Sequence, residues 1–366
     1  ENMPLIPTPL QASTIPEITV DGRANAELAR DVCLLQVDED VHGLRRLLAT
    51  FVAVGPRAGE QNEQLNWLDG VVLDFGKELR VAMGPSDART EMFVGKLSAL
   101  ELSMAQGRAP EVVCLAEDRL MDLRMTRRFK TYENVSEADL VQQIAGEHGL
   151  RALADVAGPT WPLAQQWNQS DLAFLRERAR RLAAEVWVDG DALHMATRDK
   201  RGGNALTLIQ GSNLLQVRLR ADLAQQRSKV VVGGFDDADQ DAIDEDADAG
   251  AIAAEAQGNT HGAQVLQRAF GERVSYRVRD VPLADAEASA MASAALLGRA
   301  RRFVSVSGVA DGNTAIRVGS LLRLERVSPL FEGDGFYVTR ARHQYDQTSG
   351  YRTHFEAERA WLGRAT

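Results

Sequence analysis

The sequence predicts a β-rich α+β protein, and three observations carry that prediction. Short runs rich in Val, Leu and Phe recur through the first part of the chain. A helical period replaces them after Leu123. Strand-like alternation returns in the last third. The opening runs DVCLLQV, LLATFVAV, KELRVAM, EMFVGKLSALEL and PEVVCLAE are separated by charged or Gly/Pro-containing breaks such as VDEDVHG and GPSD. That spacing fits an antiparallel barrel or sandwich.

The stretch YENVSEADLVQQIAGEHGL carries a helix start. Ser136 is placed to cap the first turn, and Glu137 and Asp139 lie at the positive end of the helix dipole. Val135 and Leu140 have the spacing of a hydrophobic staple, and Gly149 is a stop. A second helix is expected from Ser170, with Leu172, Leu175, Ala179, Leu182, Ala183 and Val186 on its buried side. The arginines of RERARR (176–181) are expected on a solvated or partner-facing side. EVWVDGDALHMAT reads as a hairpin turning at Asp189-Gly190. Further strands are expected in ALTLIQG, LLQVRLRADLAQQRSKVVVGG, RVSYRVRDV, FVSVSGV and SLLRLERV, with an Ala-rich helix over residues 283–302.

Between Asp236 and Glu255 the chain holds nine acids and no base, which predicts a mobile surface loop. Asp237, Asp239 and Asp241 have the alternate spacing of a calcium loop. Ala242 stands where such a loop needs Gly, however, and Asp248 where a bidentate Glu is usual. The final segment, GFYVTRARHQYDQTSGYRTHFEAER, is dense in His, Arg and carboxylates. Alternation puts Tyr337, Thr339, Ala341, His343 and Tyr345 on one face and Val338, Arg340, Arg342 and Gln344 on the other. After the turn, Tyr351, Thr353, Phe355 and Ala357 oppose Arg352, His354, Glu356 and Glu358. The pattern is a hairpin with one packed and one solvated face. Ser349 falls in its turn, and His343 and His354 point apart, so no nucleophile and base are assembled.

With 45% hydrophobic and 26% charged residues in 366, the chain can bury cores for two or three domains. The formal charge of −10 argues against general nucleic-acid binding. No apolar run reaches the length of a membrane-crossing helix, and the N-terminus lacks the basic-then-apolar order of a secretory signal. Cys33 and Cys114 lie in apolar runs and read as buried free thiols of a chain folded in a reducing cytoplasm. Neither a P-loop nor HExxH, GxSxG or a strand-following GxGxxG is present. The sequence predicts no catalytic, cofactor-binding or metal-binding residue. No tandem repeat is visible.

Four stretches in order carry a resemblance. They are FVGKLSALELSMAQGRAPEVVCLAEDRLMDL, RFKTYENVSEADLVQQIAGEHGL, QWNQSDLAFLRERARRLAAEVWVDGDALHMAT and the final hairpin. The chain resembles the phage late control D family, the tail hub proteins. It is also similar to the N-terminal hub part of valine-glycine repeat spike proteins of type VI and extracellular contractile injection systems. The resemblance covers the chain from about Val20. It implies two antiparallel β-barrel domains with an inserted helical α+β region: an extended arm at 1–19, a first barrel at 20–124, an inserted domain at 125–204, and a second barrel at 205–235 and 303–366. The acidic segment, a strand and the Ala-rich helix (236–302) would be inserted in the second barrel. The acidic insertion is longer than the resemblance leads one to expect. The injection-system spikes continue into an OB-fold and a needle, so the resemblance implies a separate needle polypeptide or a chain continuing past Thr366.

The implied role is structural and non-enzymatic. It is that of a homotrimeric baseplate hub, assembled in the bacterial cytoplasm and carried in a phage tail or injection particle. Its partners would be inner-tube or tube-initiator proteins, the central spike and other baseplate proteins. The competing readings are a tail-tip cell-wall-degrading enzyme, which needs a pair of carboxylates flanking a groove, and a calcium or small-ligand module at the acidic segment.

Overall fold

A computed structural model describes residues 15–54, 65–236, 239–278, 282 and 284–363. Most of the expected N-terminal arm lies outside them. The first unit comprises β1 (Glu17–Val20), β2 (Arg23–Ala24), α1 (Ala26–Asp31), β3 (Val32–Asp40), β4 (Arg46–Val52), β5 (Glu78–Met83), β6 (Thr90–Ser103) and β7 (Glu111–Glu117). All five opening runs are strands of this unit.

The inserted unit follows: α2 (Leu120–Met125), β8 (Arg127–Val135), α3 (Glu137–Glu147), β9 (Arg151–Asp155), β10 (Trp161–Ser170), α4 (Asp171–Arg181), β11 (Ala184–Asp189) and β12 (Ala192–Thr197). Ser136 closes a full capping box with Asp139, and Gly149, with φ of 61°, carries the chain away from α3. The helix α4 stops at Arg181, earlier than its apolar period suggests. Ala183 is left-handed, with φ of 52°, and Val186 belongs to β11.

Next come β13 (Ala205–Ile209) and β14 (Leu214–Ala221), then a smaller layer of β15 (Lys229–Asp236), β16 (Asp241–Ala247), α5 (Ala253–Ala256), α6 (Gly262–Phe270), β17 (Val274–Arg277) and α7 (Asp285–Ala300). The chain closes with β18 (Val304–Asp311), β19 (Leu321–Glu325), β20 (Gly333–Asp346) and β21 (Gly350–Arg359). Two expectations are corrected here. The acidic segment is not a loop: β16 pairs antiparallel with β15, with Ile243 and Ala247 buried, Glu245 between them half-buried, and Asp241, Asp244 and Asp246 exposed. β15 itself leaves the second unit and joins β16 and β17 in a separate sheet. Ala288, Ala292 and Leu296 of α7 pack on that sheet, as small residues allow.

The class is β-rich α+β, with 47% strand against 20% helix, and no closed barrel is found among the described residues. The two units expected as barrels are fused into one 13-stranded sheet, joined by antiparallel pairing of β20 with β3. Four cores lie beneath: one under each unit, one in the inserted region and one under α7.

The two units share one topology. Counting six strands in each (β1, β3, β4, β5, β6, β7 and β13, β14, β18, β19, β20, β21), both run in the spatial order second-third-sixth-fifth-fourth-first. One departure is at the rim, where β1 lies antiparallel to β5 but β13 parallel to β19. Two of the irregularities also coincide. The β3–β4 ladder bulges at Cys33 and the β14–β18 ladder at Leu215. The β6–β7 ladder bulges at Ser98 and the β20–β21 ladder at Thr339. At the second bulge Ser98 donates to the Leu115 carbonyl (3.3 Å) and Thr339 to that of Glu356 (3.2 Å). A hydroxyl there satisfies backbone that the extra residue displaces from the ladder.

Candidate functional site

The junction of the two units combines buried apolar packing with a buried charge network. Its core face holds Leu35 and Val37 of β3 against Ala341 and His343 of β20, all buried. Glu39 is also buried on this face. It accepts from Arg317 Nε (2.8 Å) and Nη2 (2.9 Å), from Arg45 Nε (3.1 Å) and from the Val318 backbone N–H (2.9 Å). Burial opposes its charge, but the two guanidiniums and the N–H outweigh that and hold the carboxyl well below the usual carboxylate range. A single buried carboxylate thus ties β3 of the first unit to the β18–β19 connection of the second.

His343 is fully buried. Burial pushes its pKa down to about 4, with Arg317 assisting against the opposing Glu39. Its ring nitrogens meet the Tyr351 hydroxyl (2.7 Å) and the Ile316 carbonyl (3.0 Å), so it is a neutral structural histidine. Ser349 lies in the turn, its N–H donating to Asp346. His354 is half-buried on the opposite face.

That opposite, open face of the junction is polar. Arg340 and Arg342 both reach Asp38 (2.9 and 2.6 Å), and Gln36 donates to Gln344 (2.8 Å). The alternation expected for the final hairpin holds in β21 but fails at the start of β20. The bulge at Thr339 resets the phase, so Val338 joins Ala341 in the core while Thr339 is only half-buried.

A second seam ties the inserted unit to the hairpin. Glu185 accepts from Arg198 (3.0 Å), Arg201 (2.8 Å) and the Tyr337 hydroxyl (2.7 Å), while Arg198 also meets Glu358 (2.7 Å). Such a network fixes how the units sit against each other, because removing Glu185 would leave the buried side chain of Arg201 without its carboxylate. RERARR is also partly turned inward. Arg178 is buried over Trp161 and paired with Glu137, contrary to a wholly solvated side. His148 meets the fully buried Asp171 at 2.8 Å, a structural contact at the end of α3. Cys114 is buried, as expected, but Cys33 is only partly so.

One cleft, of about 490 Å³, opens between the first and inserted units and is lined by Arg45, Glu78, Arg80, Glu117, Asp118 and Arg317. Burial raises the Asp118 pKa to about 6, against the pull of the Arg45 and Leu120 N–H groups that donate to it. Asp237 of the calcium-loop reading lies outside the described residues. Asp241 starts β16, and no group of three or more His, Cys, Asp or Glu among the described residues could hold a metal ion. Nor is any described helix long and apolar enough to cross a membrane.

Sequence reasoning did not find the junction or Asp118. No local signal marked the repeat: Ser98 and Thr339 each follow an aliphatic residue in the middle of a long strand, and only the paired strand reveals the bulge.

The fused units define the class: this is a chain with the fold of phage tail proteins. It superposes on the 43 kDa tail protein of prophage MuSo2 from Shewanella oneidensis with a TM-score of 0.70 at 11% identity, covering 95% of this chain and 99% of that one. A tail protein from Neisseria meningitidis MC58 gives 0.66 at 11% identity, covering 95% and 98%. The E. coli c3393 protein is a type VI secretion component described as similar to the T4 bacteriophage tail proteins gp27 and gp5. It gives 0.56 at 11% identity, covering 96% and 79%. The fold implied by the hub resemblance is therefore the fold found. By sequence, the chain belongs to the Alg8 N-terminal domain family, matched over residues 18–347. A comparison with curated proteins finds no match.

Proposed function

We propose that this protein is the structural baseplate hub of a contractile tail or injection particle. It would be a homotrimer that joins a hexameric inner tube to a trimeric central spike. The observation that supports this reading is the repeated strand order, with two like units joined side by side in each chain. Three such chains would present six like units to a sixfold tube while keeping threefold symmetry for a spike. A symmetry adaptor needs large interfaces and sheet edges rather than a pocket. Inner-tube or tube-initiator proteins, the spike and neighbouring baseplate proteins are the partners this role requires. Specific nucleic-acid binding has no place in it. Assembly would occur in the bacterial cytoplasm and the product would be part of the particle.

The reading is non-enzymatic, and the residues of the junction act by holding units together. A second reading, a tail-tip enzyme acting on cell-wall glycan, is favoured by the Asp118 cleft. Light scattering after size exclusion separates the two. The hub reading expects three times the 40.0 kDa chain mass. A monomer at high concentration that also loses a measured wall-degrading activity on Asp118→Asn would replace it with the enzyme reading.

A further inference from the structure

In the junction, the fifth strand of the second unit (β20) pairs with the second strand of the first (β3). Because the two elements differ, the contact is head-to-tail, and such contacts repeat until a ring closes. The repeat of that contact needs the fifth strand of the first unit, β6, and the second strand of the second, β14. Both are open. Among the described residues, β5 leaves β6 at Lys96, so the following stretch has β7 on one side only, and β14 pairs with β18 alone apart from a bridge of Leu214 to Gln210 at its start.

The coincident bulges fix the register. Setting Ser98 on Thr339 and Cys33 on Leu215 places Glu101 where Arg342 stands, and Arg220 where Asp38 stands. Those two positions face each other in the junction, where Arg342 and Asp38 form an ion pair. The outer pair therefore keeps opposite charges with their order reversed. On the core face, Leu102 comes opposite Leu219, and Met104 opposite Val217. In the junction the matching pairs are His343 with Val37 and Tyr345 with Leu35.

Burial agrees. Equivalent core positions match elsewhere: Leu97 with Val338, Leu79 with Leu322, and Leu47 with Val306 are all buried. The match fails along these two edges. Leu102 is 41% and Met104 67% exposed, and Leu219 and Val217 are half-buried, where Val37 and His343 are covered.

The geometry points to an antiparallel β6–β14 pairing between neighbouring copies of this chain, in the register Glu101–Arg220, Leu102–Leu219 and Met104–Val217, as the contact that closes the trimer. It rests on the hub reading and names the residues that would assemble it. The test is a Glu101→Cys/Arg220→Cys double variant on a Cys33→Ser background, mildly oxidised and run on a non-reducing denaturing gel, with light scattering in parallel. A trimer that yields a covalent ladder stopping at three chains, absent from either single variant, is expected. A trimer with no cross-link overturns this register and leaves the hub reading standing. A monomer overturns both, and a ladder extending past three chains overturns ring closure. Charge reversal guards against misfolding of the cysteine variants. Glu101→Arg alone and Arg220→Glu alone should each lose the trimer, and the double reversal should regain it. Loss without regain counts against the pairing.

Discussion

Where β4 meets β7, the first unit sets Ala49 against Cys114. At the equivalent place where β18 meets β21, the second unit sets Gly308 against Phe355. All three side chains are in the cores. A Cβ on Gly308 would lie 2.6 Å from Phe355 Cζ, so the ring occupies the space that Ala49 fills with its own methyl. The backbones correspond in strand order and at the two shared bulges, but the volume is shared out differently. Close packing constrains the sum of neighbouring volumes, not each residue. Two units can therefore keep one fold and lose any visible repeat.

The same contrast explains what was legible. Strand alternation, the Ser136 helix cap and the β11–β12 hairpin are local, and the sequence alone located them, though the turn is Gly190-Asp191, one residue past the expected Asp189-Gly190. The fold class followed, and the ordered motifs led to the tail-protein fold. The phase of β20 was misread because Thr339 adds one residue to the ladder, and nothing in FYVTRARH marks it without the paired strand. The acidic segment was misread because charge suggested solvation, while Ile243 and Ala247 alone anchor β16. Glu39 was passed over because its partners, Arg45 and Arg317, come together only across the junction. The pairing of β3 with β20 joins residues about 300 apart, beyond the reach of periodicity.

The comparison can be broken most severely at Glu39. Its equivalent in the second unit is Ala221, with no ion pair to maintain. Glu39→Ala should cost about 3–5 kcal/mol by leaving Arg317 and Arg45 unpaired. Ala221→Ser should cost less than about 0.5 kcal/mol in the isolated chain, as surface changes do. Urea midpoints at unchanged slope measure both.

The next effect is one of pH. His343 has a folded pKa of about 4, below its unfolded value, so its neutral form stabilises the fold above pH 6.5. That contribution, on the order of 3 kcal/mol, is lost as pH falls from 6.5 towards 4. Asp118, raised to about 6, acts in the opposite sense, its contribution growing as pH falls through 6. The wild-type midpoint should therefore change little between pH 6.5 and 4, then fall as Glu39 is protonated. Asp118→Asn should uncover the His343 loss, giving a melting temperature that drops steadily over that window. An Asp118→Asn profile as flat as wild type would contradict the assignment.

Packing comes third. Gly308→Ala should destabilise by about 1–3 kcal/mol through overpacking against Phe355. Phe355→Leu in the same chain should recover part of that loss, a coupling that a double-mutant cycle reads directly. Smallest is the open face of the junction. Arg340→Ala and Arg342→Ala should each cost about 0.2–1 kcal/mol, because their ion pairs with Asp38 are partly solvated.

The central claim is that the two units are equivalent building blocks of a ring. Electron micrographs of the purified protein, averaged in top view, test it most directly. The account predicts a ring with three chains and a rotational spectrum dominated by the sixfold harmonic. Particles without a ring, or a ring whose density shows three lobes and no sixfold component, would contradict it.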